Sequence, residues 1–232
     1  MKKIFISIIT ISMLFSCSTE KENQMIVKGT IEGLKKGKLY LQKIQDTLLI
    51  SVDSIYLDGV NTYELKTIVE SPEIYYLSIN NSDFNEKIAF FGEQGTFTIN
   101  TKLERFSTAF KVAGGKNQEY LDEHQEMIQK FNDRQLELIE RNFKAVKAKN
   151  ILLTKKVQDE YNSLLKRRYL YTTNFAVQHA DYEIAPYLAL TQLNNANVQL
   201  LDTIHNSMSD KIKLSKYGKQ LNTFIKEIKK TD

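Results

Sequence analysis

The chain has 232 residues, a net charge of +4 and one cysteine, Cys17. This length is enough for one large domain or two small ones. A nucleic-acid-binding protein usually carries a concentrated basic face, which this net charge does not predict, so nucleic acid is not an expected partner. A single cysteine also excludes a fold held together by disulfides within the chain.

The first residues have the organisation of an export signal. Met1-Lys2-Lys3 is positively charged, residues 4–15 are almost wholly apolar, and the small residue Ser16 precedes Cys17. The apolar stretch is shorter than the roughly 20 residues that span a bilayer. Leu14-Phe15-Ser16-Cys17 resembles the lipobox of a bacterial lipoprotein, in which the cysteine is acylated and becomes the mature N-terminus. The alternatives are an ordinary cleaved signal or a short anchor, with Cys17 incidental.

A lipoprotein signal implies a location and an anchor. Residues 1–16 would be removed as the signal peptide, leaving a chain of about +2 net charge, because Lys2 and Lys3 leave with it. Acyl chains such as palmitate would hold Cys17 at the membrane, and residues 17–24 would form a polar tether. Ser18 resembles outer-membrane sorting, with the protein facing the periplasm, whereas Glu20-Lys21-Glu22 leaves surface export open. An acylated Cys17 supplies no thiolate, so the chain is not expected to be a thiol–disulfide enzyme.

Residues 25–115 carry the signals of a β domain. Alternating or β-branched segments near residues 25–31, 39–41, 48–57, 63–69, 74–79, 88–91, 95–100 and 110–112 predict short strands separated by turns. The turn region between Gly33 and Gly37 predicts a hairpin that joins the first two strands. Strands at this spacing predict an antiparallel β-sandwich or barrel-like domain.

The apolar period changes to about 3.6 after Gly114-Gly115, so residues 116–232 are predicted to be helical and the fold class is α+β. Two long apolar stripes meet at Asn150 and predict an antiparallel helix pair. We expect these stripes to pack on the β domain; the alternative is a coiled-coil face for a partner. Three further helices are predicted, capped by Asp181, Asn197 and Ser215.

No catalytic or metal-binding motif is present, so neither enzyme activity nor a cofactor is predicted. His124, His179 and His205 have no partner at a ligand spacing, and His124 is interpreted as a surface residue. Ala113-Gly114-Gly115-Lys116-Asn117 departs from a phosphate-binding loop, which needs Ser or Thr after the lysine. Its glycines instead predict a strand-to-helix turn with positive φ.

Several short motifs together resemble a known family. They are Leu39-Tyr40-Leu41, Asp53-Ser54, Gly59 with Tyr63, Pro72 before Tyr75-Tyr76-Leu77, Phe90-Phe91-Gly92-Glu93-Gln94-Gly95 before Thr98-Ile99, then Val112, Gly114, Asn117 and Tyr120, with Pro186-Tyr187-Leu188-Ala189-Leu190 and Ser215-Lys216-Tyr217-Gly218-Lys219 in the helical half. Residues 25–229 thereby resemble a domain-of-unknown-function family of envelope lipoproteins, usually found N-terminal to an AhpC/TSA-type, TlpA-like thioredoxin domain.

The departures from this family limit what the resemblance implies. The sequence has no Cys-x-x-Cys pair, so the thioredoxin domain of longer relatives is not expected in it, and Gln94 stands where a proline is common. The redox activity of longer relatives is therefore not implied for this chain, and no matched residue has a catalytic role to transfer.

The function expected from the sequence is a lipid-anchored, non-catalytic binding or interaction module. Tyr75, Tyr76, Phe90 and Phe91 are candidates for an aromatic ligand-binding cleft, although strand alternation assigns about half of them to the core. The alternatives are an accessory subunit of a separate thioredoxin-like periplasmic oxidoreductase and an envelope enzyme without a recognisable motif.

Overall fold

The computed structural model describes residues 23–80 and 82–231, so the predicted signal, Cys17 and most of the tether lie outside the described residues. The strands are β1 Gln24–Glu32, β2 Lys36–Gln45, β3 Leu48–Asp58, β4 Thr62–Ile68, β5 Glu73–Ile79, β6 Ile88–Gly92, β7 Gly95–Lys102 and β8 Lys111–Ala113. The helices are α1 Lys116–Lys147, α2 Ile151–Gln178, α3 Ile184–Gln192, α4 Val198–Ser207, α5 Asp210–Leu214 and α6 Lys216–Thr231.

The strands form two four-stranded sheets that face each other. One sheet has the order β4-β1-β7-β8 and the other β3-β2-β5-β6. Neighbouring strands are antiparallel except β1 and β7, which pair in parallel. Alternate side chains from both sheets, such as Val27, Leu41, Leu77 and Phe97, are fully buried in one core. The predicted α+β class is confirmed, and the described strands make a sandwich rather than a closed barrel.

The predicted hairpin between the first two strands is wrong. β1 pairs with β4 and β7, whereas β2 pairs with β3 and β5 in the opposite sheet. Gly33, with φ of +86°, does reverse the chain, but this turn carries it from one sheet to the other. The glycines therefore correctly predict where the chain turns, but they do not predict which strands pair.

Gly29 allows three strands of the first sheet to approach closely. A Cβ atom at this position would lie 1.9 Å from the Ile99 carbonyl oxygen. Tyr63, which faces Gly29 across the β1–β4 pair, donates its hydroxyl hydrogen to that same oxygen at 2.9 Å. The tyrosine on β4 thus reaches β7 across β1, which satisfies a buried hydroxyl and links the strands.

The turn before α1 has the predicted conformation. Gly114 and Gly115 have φ of +123° and +77°, which residues with a side chain rarely adopt. A Cβ atom on Gly114 would also lie 2.4 Å from the Thr96 carbonyl oxygen. The two glycines thereby bring the chain from β8 tightly into α1.

The long helices α1 and α2 form the predicted antiparallel pair. Asn150 caps α2 by accepting a hydrogen bond from the Leu153 backbone NH at 3.0 Å, and it marks the predicted break. The expectation that both stripes pack on the β domain is only partly right. The N-terminal turns of α1 contact the sandwich, whereas Ile139 and Phe143 are 51% and 68% exposed.

The remaining helices pack against α2 around Leu201, Ile204 and other buried apolar residues. Asn197 caps α4 as predicted, because its side chain accepts from the Gln199 backbone NH at 2.8 Å. Ser215 precedes α6, and its hydroxyl accepts from the Gly218 backbone NH at 3.2 Å. The predicted Asp181 cap is wrong, since α3 begins after Glu183.

Candidate functional site

An aromatic cluster joins the helices to the outer face of β5 and β6. Phe91 of β6 is fully buried and makes edge-on contacts with Tyr187 of α3 and Tyr217 of α6, at ring-centroid distances of 5.4 and 6.0 Å. Ile74, Leu121, Phe175, Ile184 and Leu188 complete its buried part. We call this set the junction cluster. Its members come from both halves of the chain, so burial of their apolar surface stabilises the docking of the helices on the sandwich.

Asn117, in the first turn of α1, is hydrogen-bonded to the turn between β6 and β7 and to the start of α3. Its amide NH₂ donates to Glu93 at 2.5 Å and to Glu183 at 3.2 Å, and its carbonyl oxygen accepts from the Ile184 backbone NH at 2.8 Å. The Glu93 carboxylate also accepts from the Lys116 backbone NH. An acidic side chain at a helix N-terminus satisfies a free NH group and is favoured by the helix dipole.

A buried carboxylate joins α6 to the strands on the other side of the junction. Glu73 is 4% exposed and accepts from the ammonium groups of Lys43, at 2.9 Å, and Lys216. Lys216 also donates to the Ile44 carbonyl oxygen at 2.9 Å. The Tyr217 hydroxyl accepts from the Ile74 backbone NH at 3.1 Å, and burial raises the pKa of this tyrosine. These two ammonium groups fix the position of α6, because moving Lys216 away would leave the buried Glu73 carboxylate less well paired, which costs folding free energy.

Between these two sets of contacts lies an open cleft of about 780 Å³. We call it the junction cleft. Its lining comes from both halves of the chain and is largely charged: it includes Glu70, Glu93, Lys116, Asp181, Glu183, Lys211, Lys216 and Lys219. Asn23, the first described residue, also lines it. The described part of the chain therefore begins beside this cleft.

Glu183 is a buried carboxylate of the cleft lining. Burial raises its pKa, while its own backbone NH and Asn117 act in the opposite direction. The Glu183 side chain is thus held mainly by hydrogen bonds and in a poorly hydrated position. This arrangement is suited to holding α1 and α3 together.

The four aromatic residues proposed from the sequence lie in two different places. Tyr75 and Phe90 are fully buried in the sandwich core, with ring centroids 6.1 Å apart. Phe91 and the half-buried Tyr76 point to the opposite face and belong to the junction cluster. Strand alternation correctly separates the two pairs. None of the four side chains lines the junction cleft.

His124 is not the surface residue that the sequence suggested. It is 1% exposed, its Nε2 lies 3.0 Å from the Thr172 hydroxyl of α2, and its ring packs against Tyr171 and Phe175. Burial, with Arg168 nearby, lowers its pKa to about 4. The sequence around His124 does not indicate that it is buried, because its partner Thr172 is 48 residues away along the chain.

Sequence reasoning also missed the polar residues that hold the junction. Glu73, Glu93 and Glu183 resembled other solvated carboxylates, since nothing local distinguishes a buried acid from an exposed one. Glu93, Asn117 and Lys216 appeared as members of motifs in the family resemblance, and Asn117 also followed the glycine turn before α1. Membership of these motifs therefore marked these three residues, but it did not indicate what they contact.

Two properties of the described residues bear on metal binding and membrane insertion. In residues 23–80 and 82–231, no three or more His, Cys, Asp or Glu side chains are grouped so as to hold a metal ion. None of the helices in that part of the chain is long and apolar enough to span a bilayer.

The comparison with known families identifies the β half. Residues 25–121 match the family model described as a domain of unknown function, DUF4369, which covers the whole sandwich and the start of α1. The resemblance drawn from the sequence motifs is confirmed for this segment. No curated protein and no solved structure matches the chain.

Proposed function

We propose that the protein, whose residues 25–121 match the DUF4369 family model, is a lipid-anchored, non-catalytic interaction module of the bacterial envelope, and that the junction cleft binds a protein partner. The observation that carries the proposal is the convergence of charged side chains from both halves of the chain on one open cleft. Small-molecule sites are mostly apolar, whereas a charged cleft suits the polar surface of a protein.

The groups in the cleft favour binding over catalysis. Glu93 and Glu183 are both hydrogen-bonded to Asn117, which occupies them in holding α1 against its neighbours. The exposed lysines 211 and 219 stand at the rim, where they are available to carboxylates of a partner. Charged rim residues of this kind guide encounter and select partners.

The position of Asn23 beside the junction cleft supports a function of the protein at a membrane surface. The lipobox-like sequence ends at Cys17, and six residues span at most about 20 Å. An acyl anchor on Cys17 would therefore keep the junction cleft close to the bilayer. We place the anchor in the outer membrane with the protein facing the periplasm, on the basis of Ser18 after the acylated cysteine.

Site-specific photo-crosslinking in intact cells tests the proposal. A benzoylphenylalanine placed at Gln94, an exposed residue of the junction cleft, is expected to give a discrete adduct with one protein. The matched control is the same probe at Tyr56, which is 55% exposed and pairs with Lys38 at the other end of the sandwich. The double change Lys211→Glu and Lys219→Glu should abolish the adduct from Gln94.

Each outcome has a definite meaning. No adduct at Gln94, or the same adducts from both positions, would contradict the proposal. An adduct that persists in the charge-reversed variant would show that Lys211 and Lys219 do not recruit the partner, which would contradict recognition by the charged cleft. Identification of the partner by mass spectrometry as a thioredoxin-fold protein with a Cys-x-x-Cys pair would make the chain an accessory subunit of an oxidoreductase.

A further inference from the structure

The end of the helix pair exposes large apolar side chains. We call residues 141–158, which comprise the last turns of α1, the connecting turn and the first turns of α2, the hairpin tip. Phe143 and Val146 of α1 are 68% and 56% exposed, and Ile151 and Leu152 at the start of α2 are each 83% exposed. Soluble proteins rarely expose such residues side by side, and contiguous patches mark interaction sites.

The hairpin tip is also the most basic part of the chain. It contains no acidic residue and six basic ones: Arg141, Lys144, Lys147, Lys149, Lys155 and Lys156. Because the whole chain has a net charge of +4, the rest of it carries a net charge of −2. The positive charge of the protein is thus concentrated where its apolar residues are most exposed.

Two of these six basic residues make salt bridges in the described part of the chain, and Lys156 also attracts Glu160 at longer range. Arg141 pairs with Glu160 at 2.6 Å and Lys144 with Glu140 at 2.5 Å. In the described part of the chain, no carboxylate lies within salt-bridge distance of lysines 147, 149, 155 and 156, which are all exposed. An anionic surface outside the molecule would complement these four ammonium groups.

We propose that the hairpin tip is a second membrane contact, which inserts its apolar residues into the interfacial region of an anionic lipid surface while its lysines bind lipid phosphates. Peripheral proteins bind such surfaces by this combination of shallow apolar insertion and attraction of basic side chains. Lysine suits this position because its apolar stem lies along the acyl boundary and its ammonium group reaches the head groups.

A second copy of the chain is a poorer occupant. Two tips brought together would oppose six positive charges with six, and like charges across an interface are costly. The exposed stripe Leu136, Ile139, Phe143 and Val146 has coiled-coil spacing. Four side chains are nevertheless far fewer than the roughly 20–30 residues that each side of a stable interface contributes.

The tip lies about one length of α1 away from the junction cleft, beside which the described chain begins. α1 begins with Lys116 at the junction cleft and, with 32 residues, extends about 48 Å to the tip. Contact at both ends would lay the helix pair along the membrane surface. The tip proposal does not depend on acylation, because its charges and apolar residues act by themselves.

Vesicle co-sedimentation tests the proposal with the acyl site removed. The probe protein is residues 17–232 with Cys17→Ser, which keeps every described residue. We expect it to bind phosphatidylglycerol–phosphatidylcholine vesicles at least about tenfold more tightly than phosphatidylcholine alone, with binding lost at high salt. Ile151→Ser with Leu152→Ser, and separately Lys147→Gln with Lys155→Gln and Lys156→Gln, should each weaken binding by at least about tenfold.

Matched controls separate the tip from general effects of charge and apolar surface. Lys226→Gln with Lys229→Gln and Lys230→Gln makes the same charge change at the end of α6, and Val60→Ser with Ile68→Ser removes two half-exposed apolar residues from the sandwich. Both controls should bind anionic vesicles like the parent protein. Melting temperatures of all the variants verify that each is folded.

Three results would overturn the proposal. The first is equal binding to neutral and anionic vesicles, and the second is unchanged binding of the tip variants. The third is a parent protein that sediments as a dimer without vesicle preference while the tip variants sediment as monomers, because this would make the tip a protein interface. None of these results bears on Cys17 or on the junction cleft, so each proposal can fail separately.

Discussion

Phe91→Ala is expected to lower the free energy of unfolding by about 3–5 kcal/mol, as large-to-small changes of buried aromatic residues do. Phe91 is fully buried and contacts Tyr187 and Tyr217 from two different helices. Its loss leaves a cavity between the sandwich and the helices, and the hydrogen bond between the Ile74 backbone NH and the Tyr217 hydroxyl limits how far the site can collapse. Urea unfolding of the purified mature chain measures the change.

Phe90→Ala is the matched control for the junction. Phe90 is equally buried, but its ring contacts Tyr75 and Phe97 inside the sandwich. Both variants should lose similar stability, whereas only Phe91→Ala should speed amide hydrogen exchange in α3 and α6. A loss below about 1 kcal/mol for Phe91→Ala, or equal exchange in α3 and α6 for both variants, would show that the junction cluster does not hold the halves together.

Acidification from neutral pH to about pH 4 is expected to destabilise the protein through His124 by roughly 3 kcal/mol. The pKa of His124 is lowered from 6.5 to about 4 in the folded state, since burial next to Thr172 and Arg168 disfavours the imidazolium. Between these pH values the unfolded chain takes up a proton that the folded chain does not. Stability therefore falls as pH decreases through this window and is unaffected above it.

The contribution of His124 is isolated by comparing variants. His124→Gln removes the titration and retains a side chain able to bond Thr172, so its stability should depend less steeply on pH between about 6.5 and 4 than that of the wild type. His205→Gln on α4 is the control and should follow the wild type. Urea unfolding across this pH range gives the slopes. Parallel curves for wild type and His124→Gln would contradict the buried, neutral state of the imidazole.

Local pattern was enough to predict most elements. Strands that alternate, such as Tyr63 to Val69, and helices that begin at Asn150 or Asn197 follow from side-chain period and capping, which act within a few residues. Pairing could not be predicted this way. β1 finds its partners β4 and β7 about 40 and 70 residues later in the chain, and nothing near Gly33 encodes that choice.

The candidate site was less accessible from sequence than the fold. The aromatic pattern around Tyr75 and Phe91 indicated buried residues, and alternation separated the two faces. Glu73 gained its role only when Lys43 and Lys216, 173 residues apart, met around it. The sequence likewise predicted an apolar stripe along each long helix. Only the structure shows that the part of these helices in the hairpin tip is exposed and does not pack on the sandwich.

Membrane fractionation of cells that produce wild-type protein or Cys17→Ala tests the central claim most directly, because the proposed function needs the lipid anchor. Membranes are washed with high salt, which removes electrostatic contacts such as that of the hairpin tip but leaves acyl chains inserted. We predict that wild type stays in the washed membranes and yields an N-terminal peptide beginning at acylated Cys17, whereas Cys17→Ala does not. Unmodified Cys17, or equal retention of both proteins after the wash, would contradict the account.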